Sequence, residues 1–388
     1  MSKRVLVRFV LVTVAVSVLV AAAQSVTAQE PARQTQTHTV SARVLSVLEE
    51  GVTQVGPVTQ PYQRLLVELT SEPEKGRTVE VSIGVRDLNT AGQRFVPGDR
   101  IFLSVSTGPD GRQAYTLLDR DRTTPLAVLA VLFAGAIVAL GRWKGLRALL
   151  GLVFTFVMLV WVLIPLILRG YPPVAVAIIV SFVVFAVTLV VTHGFGRMAL
   201  AALAGTSLSL IFTGVLAALF VAAAGLTGLA DEEASFLQVV LGDRAMNPRG
   251  LLLAGMLVGA LGVLDDITVS QSSLVFELRR ANPFWSGWEL FAAGVRVGRD
   301  HIAATVNTLV LAYAGAALPL LLLFSQLDEP LLGVLNREII AQEVVQTLVG
   351  SLGLIAAVPL TTGFAAWLAV RTPVDALSEL DHLHSHHH

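Results

Sequence analysis

The chain contains no cysteine, which excludes disulfides, thiolate metal sites and cysteine nucleophiles. Charge is scarce. Of the 388 residues only 14% are Asp, Glu, Lys or Arg, where a soluble protein carries about 25%. Basic residues are not in excess either: 27 Lys and Arg face 28 Asp and Glu, a net charge of −1. No basic surface therefore points to nucleic acid. Phosphate-binding glycine loops, zinc-protease helices and serine-hydrolase elbows are missing too. The remainder is 54% hydrophobic, with a mean hydropathy of +0.72. This is the composition of a multi-span membrane protein whose first partner is the lipid bilayer.

Residues 1–28 open with Lys3, Arg4 and Arg8, run apolar from Phe9 to Ala23 and end near "SVTA". A signal peptide and an uncleaved signal-anchor helix both fit, and either exports the segment after it. Residues 30–123 alternate polar and apolar in "HTVSARVLSV", "QRLLVELT", "TVEVSIGV", "DRIFLSVST" and "QAYTLL", separated by turn signals such as "SEPEKG" and "GPDG". Short strands at this spacing predict a small all-β, OB-like barrel, closed or partly closed, with a two-layer sandwich as the alternative. It carries no aromatic ladder or basic groove, so a docking module outside the membrane fits it better than a nucleic-acid binder. The tail at 372–388 ends in "DHLHSHHH" and reads as a tag remnant or unstructured end, with a metal-binding tail as the alternative.

Residues 125–371 form the membrane domain. Candidate spans lie at 125–141, 147–168, 172–192, 198–224, 250–278, 302–324 and 344–370, long enough for about 30 Å of hydrocarbon at ~1.5 Å per residue. That is a polytopic helical protein of seven spans plus the N-terminal segment. With the N-terminus inside, Arg142, Lys144, Arg147, Arg197, Arg279, Arg280, Arg296, Arg299 and Arg371 are all cytoplasmic, as the positive-inside rule requires. Arg169 alone departs from it. This predicts a plasma-membrane protein with an extracytoplasmic β domain and a cytoplasmic C-terminus. Segment 283–299, "PFWSGWELFAAGVRVGR", is too mixed to span and predicts a short interfacial helix on the cytoplasmic side.

One span carries charge where it is expensive. In 250–278, Gly255, Gly259, Gly262, Asp266, Ser270, Ser273 and Glu277 recur at spacings of three and four, on one helical face. The glycines predict close helix packing, as do Gly350 and Gly353 in the last span. Below them the stripe turns polar, with Asp265 one position round. An aspartate at a helix centre costs roughly 2.5–3.5 kcal/mol on insertion scales, and two adjacent ones favour a protonated or shared-proton state. No lysine lies in any span. Arg299 and His301, beside Asp300, are the nearest candidate charge partners, but they sit at a membrane edge. A proton or a small hard cation, monovalent or divalent, therefore fits Asp265 and Asp266 better than a permanent ion pair; no other cofactor is implied. Ser270, Ser273, Thr305, Asn307 and Thr308 are the candidate supporting groups, although such residues also simply hydrogen-bond between helices. Capping a broken helix or holding a polar bundle core is the structural alternative for the aspartates themselves.

The blocks "GMLVGALGVLDDITVSQSSLVFEL", "GVRVGRDHIAATVNTLVLAYAG" and "GSLGLIAAVPLTT" resemble the YibE/F-like family of bacterial multi-span membrane proteins, which implies the plasma membrane but no defined chemistry. "GVLDDITVSQSSLVFELRR" is also similar to the fourth-helix signature of SecD/SecF-type and resistance-nodulation-division permeases, where a glycine precedes an intramembrane aspartate. That resemblance implies proton-coupled movement. The two spans preceding the comparable set and the small β unit depart from it.

Two functions are therefore expected. One is an ion-gradient coupled transporter or exporter of a small-molecule, ion or peptide cargo, proton-driven through Asp265 and Asp266. The other is an accessory or assembly factor whose β domain grips a protein partner; an oligomer suits either. An aspartyl protease is disfavoured, because adjacent residues on one helix point about 100° apart. The chain is not read as an enzyme.

Overall fold

The computed structural model describes residues 37–55, 58–72, 74–84, 94–108, 113–242, 246–326 and 330–373. The signal or anchor segment 1–28 and nearly all of the 372–388 tail lie outside the described residues. Those described fall into two compact units, 37–139 and 140–373.

The first unit holds five antiparallel strands, β1 (Thr37–Val55), β2 (Val58–Leu69), β3 (Thr78–Ile83), β4 (Arg100–Thr107) and β5 (Gln113–Arg120), in the order β3-β2-β1-β4-β5. Alternation dictates the core. Val40, Ala42 and Val44 on β1, Leu65, Val67 and Leu69 on β2, and Ile101, Leu103 and Val105 on β4 all face inward and are buried. β1 is shared: Thr37–Arg43 pair with β4, and Ala42–Val55 with β2 across irregularities at Val44/Ser46 and Val47/Glu49. Bulges bend and twist a strand, so the sheet curls into a half-barrel and is not a two-layer sandwich. The ladder is open between β3 and β5, where side chains bridge instead. Tyr115 Oη donates to Glu74 Oε2 at 2.9 Å and Arg77 Nη1 to Gln113 Oε1 at 3.0 Å. The Tyr115 hydrogen bond holds the Glu74 carboxyl below its ordinary value. Likewise Tyr62, with Arg64, holds Glu49 down.

The second part of the chain is helical: α1 (Thr123–Leu168, with one π turn at Leu159–Leu163), α2 (Pro173–His193), α3 (Arg197–Ala223), α4 (Glu232–Leu241), α5 (Pro248–Ala281), α6 (Gly287–Ala316), α7 (Leu318–Ser325), α8 (Leu331–Leu335) and α9 (Glu338–Val370). Among them α1, α2, α3, α5 and α9 are long and apolar enough to cross a membrane; α6 and α7, bent by 61°, make a sixth if they cross as one. By length and composition alone this count does not reach seven spans. The expected first two, 125–141 and 147–168, meet in α1 as two helices joined across a kink at Arg142, whose φ of +46° is rare for a side chain other than glycine. Segment 283–299 is not a separate interfacial helix either. Ser286 and Glu289 form a capping box that starts α6 at Gly287, and the helix runs unbroken to Ala316. The break falls later, at Ala317 before Pro319, because proline fits a helix only in its first turn.

α3, α5 and α9 pack into the centre of the second unit, with α2 against α5 and α6 against α9 and α5. The α3–α9 seam is built of small residues. Gly205 lies against Thr361 and Gly353 against Thr213, too close for any side chain at either glycine. Such contacts are how helices associate where lipid removes the hydrophobic drive. At the Arg371 end, Phe276, Leu290, Ala365 and Ala369 close a buried cluster. At the other end, Glu338 Oε1 accepts from Thr227 N at 2.5 Å and Thr227 Oγ1 at 2.7 Å, tying the α3–α4 loop to the first turn of α9.

Candidate functional site

α5 starts where Asn247 Oδ1 accepts from Gly250 N at 3.2 Å, and no proline or turn interrupts it before Asn282. Its 34 residues therefore form one continuous helix with two contrasting faces. Leu257, Leu264, Ile267, Thr268, Gln271 and Val275 are buried. The Gly255, Gly259, Gly262, Asp266 and Ser270 stripe is exposed, and Asp265 and Ser273 are half-buried at its margins.

Close packing at the stripe glycines is corrected by this arrangement. A Cβ added at Gly255 or Gly262 would meet no atom within 4 Å among the described residues, and one at Gly259 would meet only Tyr313 Oη, at 3.5 Å. The bulky apolar residues on the other face bury far more area, and they decide which side of α5 turns inward. A Cβ added at Gly350, on α9, would lie 3.7 Å from Leu309 Cδ2.

Sequence reasoning passed over the polar contacts of the buried face. Thr206 Oγ1 and Thr268 Oγ1 are 2.5 Å apart, linking α3 to α5. Gln271 Nε2 donates to Gly294 O at 2.7 Å and to Thr362 Oγ1 at 2.8 Å, joining α5, α6 and α9. Gly294 and Gly298 make room for this, since a Cβ at Gly298 would lie 2.6 Å from Val358 Cγ1. The G-x-x-x-G spacing of "GVRVG" is the signal that could have found it.

Of the supporting groups, Ser270 and Ser273 share α5 with the aspartates, while the threonines of α6 bond within their own helix. Thr305 Oγ1 donates to His301 O at 2.9 Å and Thr308 Oγ1 to Ala304 O at 3.0 Å, both inside α6. Asn307, Arg299, Asp300 and His301 are exposed. Among the described residues neither aspartate has an ion-pair partner, while Glu277 pairs with Arg280 at 2.9 Å. Nor do three His, Asp or Glu side chains converge as a metal site among them. A hard cation at Asp265 and Asp266 would have to complete its shell from water or backbone carbonyls, whereas a proton needs only the two carboxylates.

Two cavities flank the helix. One, of about 10 Å³, lies between α5, α6 and α9 and is lined by Gly259, Val263, Leu309, Tyr313, Gln346 and Gly350. Gln346 Nε2 donates to Tyr313 Oη there at 3.1 Å. The other is a groove of about 370 Å³ between α2 and α3, lined by Ile178, Phe182, Phe185, Leu210 and Leu261 with Thr206 and Ser207. It has no charged group and cannot be the ion site.

No curated protein and no solved structure matches the chain. Residues 129–371 match the sequence profile of the YibE/F-like proteins, a range that takes in α2 to α9, nearly all of α1, the aspartate pair and the polar junction of α5, α6 and α9. The chain belongs to the YibE/F-like family.

Proposed function

We propose that this protein is a proton-coupled transporter or exporter of the plasma membrane, with Asp265 and Asp266 carrying the coupling proton. The observation behind it is the aspartate pair midway along a membrane-length helix, with Asp266 on the side turned away from the packed core and Asp265 half-buried at its margin. Intramembrane carboxylates are costly, and they mark ion pathways. Ser270 and Ser273, on the same stripe, are the polar groups best placed to serve them. Breaking α1 at Arg142 makes two spans of it, and counting α6 with α7 as one brings the total to seven. That count and the positive-inside rule support a reading with the β half-barrel outside and the C-terminus in the cytoplasm.

In proteoliposomes of the full chain loaded with a pH-sensitive dye, a membrane potential should drive proton uptake. Asp266→Asn should lower it by about tenfold, the range of one essential proton-transfer group being about 10²–10⁴ and a bypass through Asp265 reducing the loss. Uptake unchanged by Asp266→Asn would remove Asp266 from coupling, and uptake unchanged by Asp265→Asn combined with Asp266→Asn would remove the pair.

A second reading, a SecD/SecF-like accessory, draws on the half-barrel. Leu45 and Leu48, at the β1 irregularities, are 40% and 47% exposed and offer apolar contacts to a protein partner. Stable co-purification with one partner, lost in a Leu45→Ser, Leu48→Ser variant, together with no proton uptake by the chain alone, would favour it.

A further inference from the structure

We infer that Arg197, Arg279 and Arg371 form a binding site for the phosphate of an anionic phospholipid, at the end of the bundle where α3 begins and α5 and α9 finish. Each sits at a helix terminus. Arg197 opens α3, Arg279 is in the last turn of α5, and Arg371 follows the last residue of α9. One buried cluster gathers the three ends, because Met198, Leu278 and Leu368, a residue or a turn away from them, all pack against it with Trp285. Two hydrogen bonds fasten the arginines there: Arg197 Nη1 donates to Arg371 O and Arg279 Nη1 to Trp285 O, each at 2.7 Å.

Those acceptors are neutral carbonyls, so the positive charge stays uncompensated. Among the described residues none of the three arginines has a carboxylate within ion-pair distance. Glu277 and Glu289, in the flanking turns, are engaged elsewhere: Glu277 pairs with Arg280, and Glu289 accepts from Ser286 N and Oγ. A phosphate complements this charge, since the planar fork of a guanidinium matches its oxygens. The rim decides the source of the phosphate. Phe195, Phe284, Trp288 and Trp367 are all at least half exposed, and exposed aromatics of this kind mark the headgroup level of a bilayer, where basic side chains meet lipid phosphates. The Arg371 guanidinium lies 4.0 Å over the Trp367 ring, which holds the cation in that rim. A phospholipid uses both the charge and the apolar rim, whereas a free phosphate uses only the charge. The tail beyond Pro373, with Asp375, Glu379 and Asp381, is the competing occupant. The site stands independently of proton coupling.

Thermal unfolding of the full chain in a non-ionic detergent tests this, with phosphatidylglycerol, phosphatidylcholine or inorganic phosphate added. Saturating phosphatidylglycerol should raise the midpoint by about 5 °C, and phosphatidylcholine should not. Arg197→Gln combined with Arg371→Gln should remove the rise. The quantity read is the shift on adding lipid, so a variant of lower intrinsic midpoint still reports. Arg371→Gln alone, which deletes a side chain resting on the Trp367 ring, should reduce the rise and serves if the double variant does not fold. Arg169→Gln is the control. Arg169 is an exposed arginine just before α2, whose Pro173 lies beside Gly250 at the opposite end of α5, and its variant should keep the full rise.

An equal rise from phosphatidylcholine, or a full rise from phosphatidylglycerol in both arginine variants, would overturn the site. An equal rise from inorganic phosphate would overturn the lipid as its occupant and leave a free-anion site. A rise that appears only in a chain ending at Pro373 would overturn it too, and would give the patch to the acidic tail.

Discussion

At the scale of single residues, Asp265 and Asp266 are neighbours in sequence but not in surroundings. Asp266 lies on the open stripe, while Asp265 is half-buried at its margin, one residue away on a helix that turns about 100° per step. Their effects should therefore be unequal: Asp266→Asn should depress proton uptake more than Asp265→Asn, measured in the same proteoliposomes. The spacing of Gly255, Gly259, Gly262 and Asp266 showed in the sequence that they share a face. It did not show which way the face turns. Periodicity is blind to that where a helix has apolar residues all round, since Leu257, Leu264 and Ile267 form an equally regular stripe and win by bulk. Gln271 was hidden for a related reason, its partners being a backbone carbonyl on α6 and a hydroxyl 91 positions away.

At the scale of elements, the junction of α5, α6 and α9 should be the most sensitive part of the helical unit. Gly298→Val would drive a side chain into Val358 and Gln271, and overpacking of this kind costs about 1–3 kcal/mol. Gln271→Leu would remove the two hydrogen bonds that join α5 to α6 and α9, at a cost of about 0.5–1.5 kcal/mol each. Both should lower the thermal midpoint of the purified protein in detergent, whereas Gly262→Ala, facing open space, should not. The half-barrel has its own signature. Glu49 and Glu74 are held below their ordinary values by tyrosine hydrogen bonds. Their contribution is therefore complete above the unfolded carboxylate range, about 4.3, and is lost as pH falls through the folded values. Far-UV melting of segment 30–123 should show a lower midpoint in acid than at neutral pH, with a smaller difference for Tyr62→Phe combined with Tyr115→Phe. The strands themselves were readable from alternation. That the sheet curls was less so, because it depends on where one long strand changes partners.

At the scale of the whole molecule, a bundle of membrane-length helices carries an aspartate pair at the edge of its core. The order of spans and the loop charges were legible because hydrocarbon permits little else. The break in α1 at Arg142 falls in the gap expected between 125–141 and 147–168, whereas the bend of 61° inside the expected span 302–324 was not legible, since it depends on one proline. A fluorescent protein fused after residue 373 should fluoresce, and alkaline phosphatase fused there should be inactive, if the C-terminus is cytoplasmic. Proton coupling stands or falls on whether the pair holds an exchangeable proton within the membrane. Infrared difference spectroscopy of the full chain in lipid, cycled between acid and alkaline buffer, reads that proton itself, because a protonated carboxyl and a carboxylate absorb at different frequencies. A neutral-carboxyl band should come and go in the wild-type chain and vanish in the Asp265→Asn, Asp266→Asn double variant. An identical difference spectrum in that double variant would show that the exchangeable proton is not theirs.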